Sequence, residues 1–228
     1  MEKKKLRREL FTSTPLEIRE SVEGESKRTI SGYAILFDTP SAVLYEDAGM
    51  EVREVISKRA ITEDFLRQQD IKMTMFHDRQ LILARSNKGE GSLSYSIDDK
   101  GVRFEFEVPN TCDGDKAFEL VKRGDLCGCS FMFSTYYGDK DYVAVEVKRE
   151  NGRECATNTV MAFTGIYDFT LAADPAYPDT SCETIGREIV DAYRKNGKGL
   201  SKVRTQVKEM RERAGRRLGE TMWDYVGL

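Results

Sequence analysis

Between residues 29 and 172 the chain alternates apolar and polar side chains in short runs, which predicts a body built of strands. Residues 29–37 (Thr-Ile-Ser-Gly-Tyr-Ala-Ile-Leu-Phe) are rich in β-formers and predict a first strand. A loop with Pro40 and Gly49 follows over 38–50, then a strand over 52–56 and a helical period over 57–67. In 71–77, Ile71, Met73, Met75 and His77 fall on one face and Lys72, Thr74 and Phe76 on the other. Residues 81–85, 93–97 and 102–108 predict further strands, with Asp99-Lys100-Gly101 as the hairpin turn between the last two. Residues 113–123 begin with acids, end on Lys122-Arg123 and precede Gly124, the start and stop signals of a helix. Strands are expected at 129–135, 142–148, 159–163 and 166–172, with a turn near Asn151-Gly152, before an extended Asp174-Pro175-Ala176-Tyr177-Pro178. Residues 184–218 return to a helical period, interrupted by Asn196-Gly197-Lys198-Gly199; Leu200, Val203, Val207, Met210, Ala214 and Leu218 form its apolar stripe. Seven to nine short strands with two inserted helices predict a barrel or sandwich.

Charge divides the chain in the same way. The net charge of −3 over 228 residues conceals five Lys/Arg against one Glu in residues 1–8, and ten against two in 193–217. Residues 9–192 hold 21 basic and 34 acidic side chains. The expected organisation is a basic N-terminal arm and lead-in strand over 1–27, a body over 28–183 and a basic amphipathic helical extension over 184–228. An acidic body argues against a nucleic-acid-binding core and leaves only the tails for such contacts. Five cysteines, an odd number without framework spacing, read as free thiols in a reducing compartment. No run of about 18 apolar residues suggests a membrane span, and no apolar stretch follows the basic start to make a secretory signal.

A single histidine, His77, limits the acid–base chemistry available near neutral pH. A lone histidine is more often a passive residue, but this one ends an apolar strand and is followed by Asp78-Arg79. Ser130 lies in Gly128-Cys129-Ser130-Phe131-Met132-Phe133, on the face opposite Phe131 and Phe133. Asp168 sits among residues that should be buried, where a carboxylate is costly unless paired; a histidine would pair it. Together they would supply a nucleophile, a base and a group that orients the base. Two rivals use the same region. Cys129 could replace Ser130 as nucleophile, although the two face opposite sides of a strand. His77 with Cys127, Cys129 and Cys155 could bind a metal, but Cys127-Gly128-Cys129 is too tight for a zinc knuckle. No metal and no cofactor is expected.

The order of segments is more specific than any one of them. Ile30-Ser31-Gly32-Tyr33-Ala34-Ile35-Leu36-Phe37, Glu54-Val55-Ile56 and Met75-Phe76-His77-Asp78 come first. Val121 through Phe133 follows, then Ile166-Tyr167-Asp168-Phe169-Thr170-Leu171 with Pro175-Ala176-Tyr177-Pro178. This succession, over about residues 28–182, resembles the prohead (procapsid maturation) serine proteases of tailed bacteriophages. The resemblance implies a fold like that of the herpesvirus assembly proteases, a closed, mostly antiparallel β-barrel surrounded by helices. It implies a serine endopeptidase with Ser130 as nucleophile, His77 as general base and Asp168 as orienting acid. Asp168 stands where the family often has Glu, and Met132 where Gly is common. An oxyanion donor is expected from a backbone N–H, with Arg149 or Arg153 as side-chain candidates. The implied partners are the capsid-protein precursor and scaffolding segments, and the chain itself through self-cleavage and self-association. The implied place of action is the assembling procapsid in the host cytoplasm, with no membrane partner. The reading from another class is a catalytically silent capsid-assembly or scaffold protein on the same fold.

Overall fold

The alternating segments pair into three open sheets. The computed structural model describes residues 4–12, 14–20, 27–46, 49–150 and 152–173. Of the chain's two units, Met1–Thr184 and Ile185–Leu228, only the first contains described residues. The helical extension expected over 184–218 and the extended segment 174–178 lie outside them.

In chain order the strands are β1 Lys4–Thr12, β2 Glu17–Glu20, β3 Arg28–Leu36, β4 Tyr45–Glu46, β5 Met50–Ile56, β6 Asp70–Met75 and β7 Asp78–Asn87. There follow β8 Glu90–Gly91, β9 Leu93–Ile97, β10 Gly101–Glu107, β11 Gly128–Tyr137, β12 Val143–Glu150, β13 Arg153–Val160 and β14 Gly165–Ala172. One six-stranded sheet has the order β1-β11-β14-β6-β7-β8; the two four-stranded sheets run β2-β3-β10-β9 and β12-β13-β5-β4. The pairs β14–β6 and β13–β5 are parallel and the remaining ladders antiparallel.

The closed, helix-surrounded barrel expected from the resemblance is therefore corrected. Closure needs the first and last strands of a sheet to pair with each other. Here the large sheet starts at β1 and stops at the two-residue β8, and no sheet closes. The only α-helices among the described residues are α1, Glu63–Arg67, and α2, Cys112–Arg123, too little helix to surround a barrel. No helix among them is long and apolar enough to cross a membrane.

Local chemistry explains the ends of the helical elements. In α2 the Thr111 hydroxyl accepts the Gly114 N–H at 3.1 Å, and Gly124 closes the helix at φ 81°. Gly114, Ala117, Phe118 and Val121 form its buried stripe. The single helix expected over 57–67 is instead a 3-10 turn, Lys58–Ala60, followed by α1. Ser57 and Thr62 each capture a backbone N–H, so the chain is capped twice, and buried Ile61 is extended between the caps.

The six-stranded sheet has one apolar face and one chemical face. Ile71, Met73 and Met75 of β6, Cys129, Phe131 and Phe133 of β11, and Phe169 and Leu171 of β14 are all buried. Phe133 meets Phe131 at 5.2 Å and Phe163 at 4.9 Å between ring centroids. Burying each such side chain stabilises the fold by about 1.5–3 kcal/mol relative to exposure. On the apolar side β1 contributes Arg8, whose guanidinium donates to Glu54 of β5 at 3.2 Å and to the Tyr137 hydroxyl of β11 at 2.6 Å. Burial pushes the Glu54 carboxyl up despite Arg8 and Tyr137. This buried cluster joins the first sheet to the third and anchors β1, part of the segment expected as an arm and lead-in strand, as a full edge strand.

Candidate active site

The other face of this sheet is built in two lateral rows. Strand registers place Glu9 opposite Met132, Met132 opposite Asp168, and Asp168 opposite Lys72. The next row is Phe11, Ser130, Thr170 and Thr74. Because neighbouring strands lie about 4.8 Å apart, each row brings residues far apart in sequence within side-chain reach. Gly128 allows β1 to lie this close: a Cβ there would fall 2.4 Å from the Phe11 ring and 2.8 Å from the Thr12 carbonyl oxygen.

His77 reaches the rows from a turn. Extended alternation would have buried it with Met73 and Met75. Instead β6 ends at Met75, which pairs with Asp78, and the two residues between them have φ values of 57° (Phe76) and 56° (His77). A two-residue loop with both central φ positive belongs to the type I′ class, which favours Asn-Gly. Holding a non-glycine residue left-handed costs roughly 1–2 kcal/mol. Contacts from β14 hold it. The His77 N–H donates to the Thr170 hydroxyl oxygen at 2.9 Å, the Thr74 hydroxyl donates to the same atom at 2.9 Å, and the Phe76 N–H donates to the Leu171 carbonyl at 3.2 Å. The turn moves the imidazole from the apolar face to the chemical one.

There the imidazole lies between two of the residues singled out with it. Its Nδ1 is 2.7 Å from Asp168 Oδ1, and its Nε2 is 2.8 Å from Ser130 Oγ. With a neutral ring, Nδ1–H donates to the carboxylate and Nε2 accepts the serine hydroxyl. Asp168 is 4% exposed and Ser130 7%, while the imidazole keeps 16% of its surface open. A buried carboxylate fixes tautomer and orientation; a base open at one edge can meet a substrate. An open groove of about 370 Å³ runs beside Asp168, lined by Lys72, Thr74, Arg79, Tyr167 and Arg7 among others. Arg7 stacks its guanidinium on the Tyr167 ring at 3.8 Å.

Cys129 points into the core, fully buried, and burial suppresses ionisation of its thiol, the form a nucleophile needs. Cys127 is exposed and donates to the Ala173 carbonyl at 2.7 Å. No group of three or more His, Cys, Asp or Glu that could hold a metal converges among the described residues. Arg149 and Arg153, the side-chain oxyanion candidates, belong to β12 and β13 in the third sheet, where Arg153 donates to Glu46 at 2.7 Å. Reading the sequence alone missed three neighbours. Thr170 and Thr74 hold the turn; the period of two from Asp168 could have flagged Thr170. The third is Glu9, whose Oε2 lies 3.8 Å from His77 Nε2; nothing local marks it, because only the β1–β11 register brings it there.

The family model of the Caudovirus prohead serine protease matches residues 14–195. No curated protein matches the chain. Among solved structures, the bacteriophage T4 capsid assembly protease, gp21, aligns with a TM-score of 0.39 and 12% identity, over 72% of this chain and 98% of its own.

Proposed function

Because the chain belongs to the Caudovirus prohead serine protease family, a family of phage capsid maturation, we propose that it is an endopeptidase using Ser130, His77 and Asp168. Its substrates on this reading are capsid-protein precursor and scaffolding segments, and itself, within the assembling procapsid in the host cytoplasm. The observation that carries the reading is the relay from Ser130 Oγ through the imidazole to Asp168, at 2.8 and 2.7 Å.

Ser130 Oγ attacks the scissile carbonyl carbon while Nε2 takes its proton, leaving a tetrahedral oxyanion beside an imidazolium. Asp168 stabilises that imidazolium through Nδ1–H and keeps the ring aligned. The C–N bond then breaks as Nε2–H passes its proton to the leaving amine, giving an ester on Ser130. Water attacks the ester, surrendering a proton to Nε2; the acid leaves and the proton returns to Ser130 Oγ.

Wild type and Ser130→Ala are concentrated with a capsid-precursor segment and followed by intact mass. Wild-type cleavage that falls on the order of 10⁴-fold or more in Ser130→Ala supports the assignment. Equal cleavage by both would move the chemistry elsewhere. Cleavage by neither, under conditions in which procapsids assemble, would favour the catalytically silent assembly protein.

A further inference from the structure

Resting on the Ser130–His77–Asp168 reading, we infer that Glu9 selects a lysine or arginine on the leaving-amine side of the scissile bond. Glu9 shares the sheet face of Ser130, and its carboxylate lies 3.8 Å from His77 Nε2 with 36% of the side chain exposed. At that distance it makes no hydrogen bond to Nε2, which faces Ser130 Oγ at 2.8 Å.

Beside the Ser130–His77–Asp168 relay, Glu9 is the carboxylate left uncommitted among the described residues. Asp168 is taken by His77 Nδ1, Lys72 pairs with Asp70 at 3.0 Å, and Arg7 lies on the Tyr167 ring. Apart from His77, no cation pairs with Glu9 among the described residues.

Acyl transfer puts the missing partner there. Nε2 must hand its proton to the leaving amine, so that nitrogen comes within hydrogen-bond reach of Nε2. A carboxylate 3.8 Å from Nε2 then lies within side-chain length of the residue whose nitrogen is leaving. A lysine or arginine at that residue can pair with it, whereas an acid meets like charge beside a half-buried carboxylate. β1 precedes the residues matched by the family model, 14–195, so this selectivity belongs to the N-terminal edge strand of this chain.

The test is to cut a randomised decapeptide library with the full-length chain and count residues following each cut by mass spectrometry. Matched peptides with Lys, Gln or Glu at that residue then give kcat/KM. Wild type should prefer Lys over Gln by about fivefold, the range of a partly exposed ion pair, and the preference should shrink as salt rises. E9Q should bring the ratio to about one, E9D should retain its direction, and E9K should reverse it toward Glu. No charge preference in wild type, or the same preference in E9Q and E9K, would overturn the inference while leaving the triad reading standing. Cleavage by wild type of neither the library nor a capsid-precursor segment, under conditions in which procapsids assemble, overturns the triad reading and this inference with it.

Discussion

Two hairpin turns in this protein obey opposite rules. Between β9 and β10 the chain turns through Asp98-Asp99-Lys100-Gly101 in the way its residues favour. The Asp98 carboxylate accepts the Lys100 and Gly101 N–H groups at 2.8 and 2.9 Å and the Tyr33 hydroxyl at 2.6 Å. Gly101 is required because a Cβ there would lie 1.9 Å from the Ile35 carbonyl oxygen. Between β6 and β7 the chain turns through Phe76-His77, where a bulky phenylalanine takes a left-handed backbone that its side chain disfavours and no glycine is present. Local preference builds the first turn, whereas contacts from β14, ninety residues away, impose the second. The imposed turn carries the histidine, so local strain here coincides with the candidate chemistry.

His77→Asn separates backbone preference from chemistry most sharply. Asparagine suits a left-handed turn better than histidine does, so a merely structural role would tolerate it. On the triad reading, cleavage falls on the order of 10⁴-fold, as expected when the base of such a relay is lost. Stability also falls, because Asp168 keeps its burial and loses the Nδ1–H that donates to it. Peptide hydrolysis and urea unfolding measured on one preparation check both halves.

Asp98→Ala probes the obedient turn. It removes the acceptor of two backbone N–H groups and the Tyr33 hydroxyl, and should destabilise the fold by about 1–2 kcal/mol. Hydrolysis at temperatures below unfolding should not change. A shift in the urea midpoint without a change in kcat/KM is the expected signature; a drop in kcat/KM would couple the second sheet to the site.

The same contrast explains what could be read from the chain and what could not. Strands such as β3, β9 and β14, and helix α2 with Thr111 before it and Gly124 after it, follow from local periodicity and caps. His77, Ser130 and Asp168 stood out because histidine is unique and a carboxylate within an apolar strand needs a partner. Their hydrogen-bond distances, however, arise from the parallel pairing of β14 with β6, which no local pattern encodes. Sheet closure is non-local too, and this is why a count of short strands left barrel and sandwich open and the closed barrel came only from the resemblance, while the ladders stop at β1 and β8. Alternation carried one residue too far put His77 on the face of Ile71, Met73 and Met75, since the turn at Phe76 goes against local propensity.

Phe76→Asn should have the opposite sign to Asp98→Ala. Phe76 is 52% exposed, so little packing is lost, and asparagine at a left-handed position of a two-residue loop relieves strain. The expected gain is about 0.5–1 kcal/mol in urea unfolding. A loss of stability would mean that the exposed ring has a partner worth more than the strain.

The far end of the same hairpin offers the smallest test. Asp70, first residue of β6, accepts from Arg85 of β7 at 2.7 and 2.8 Å and from Lys72 at 3.0 Å, strapping the end opposite the strained turn. The Arg85 guanidinium outweighs the desolvation of Asp70 and, with Lys72 helping, holds its carboxyl down at about 2. A carboxyl lowered by folding contributes stability that is fully present above its unfolded value, near 3.8, and is lost as pH falls through about 2. Both partners are more than a third exposed, 39% for Asp70 and 50% for Arg85, so water and salt reduce the contribution to less than about 1 kcal/mol. Between pH 5 and pH 2.5, wild type should therefore lose slightly more stability than Asp70→Asn, and added salt should shrink the gap. If Asp70→Asn loses as much as wild type, the strap contributes nothing, and the contacts from β14 alone hold the hairpin against its own turn.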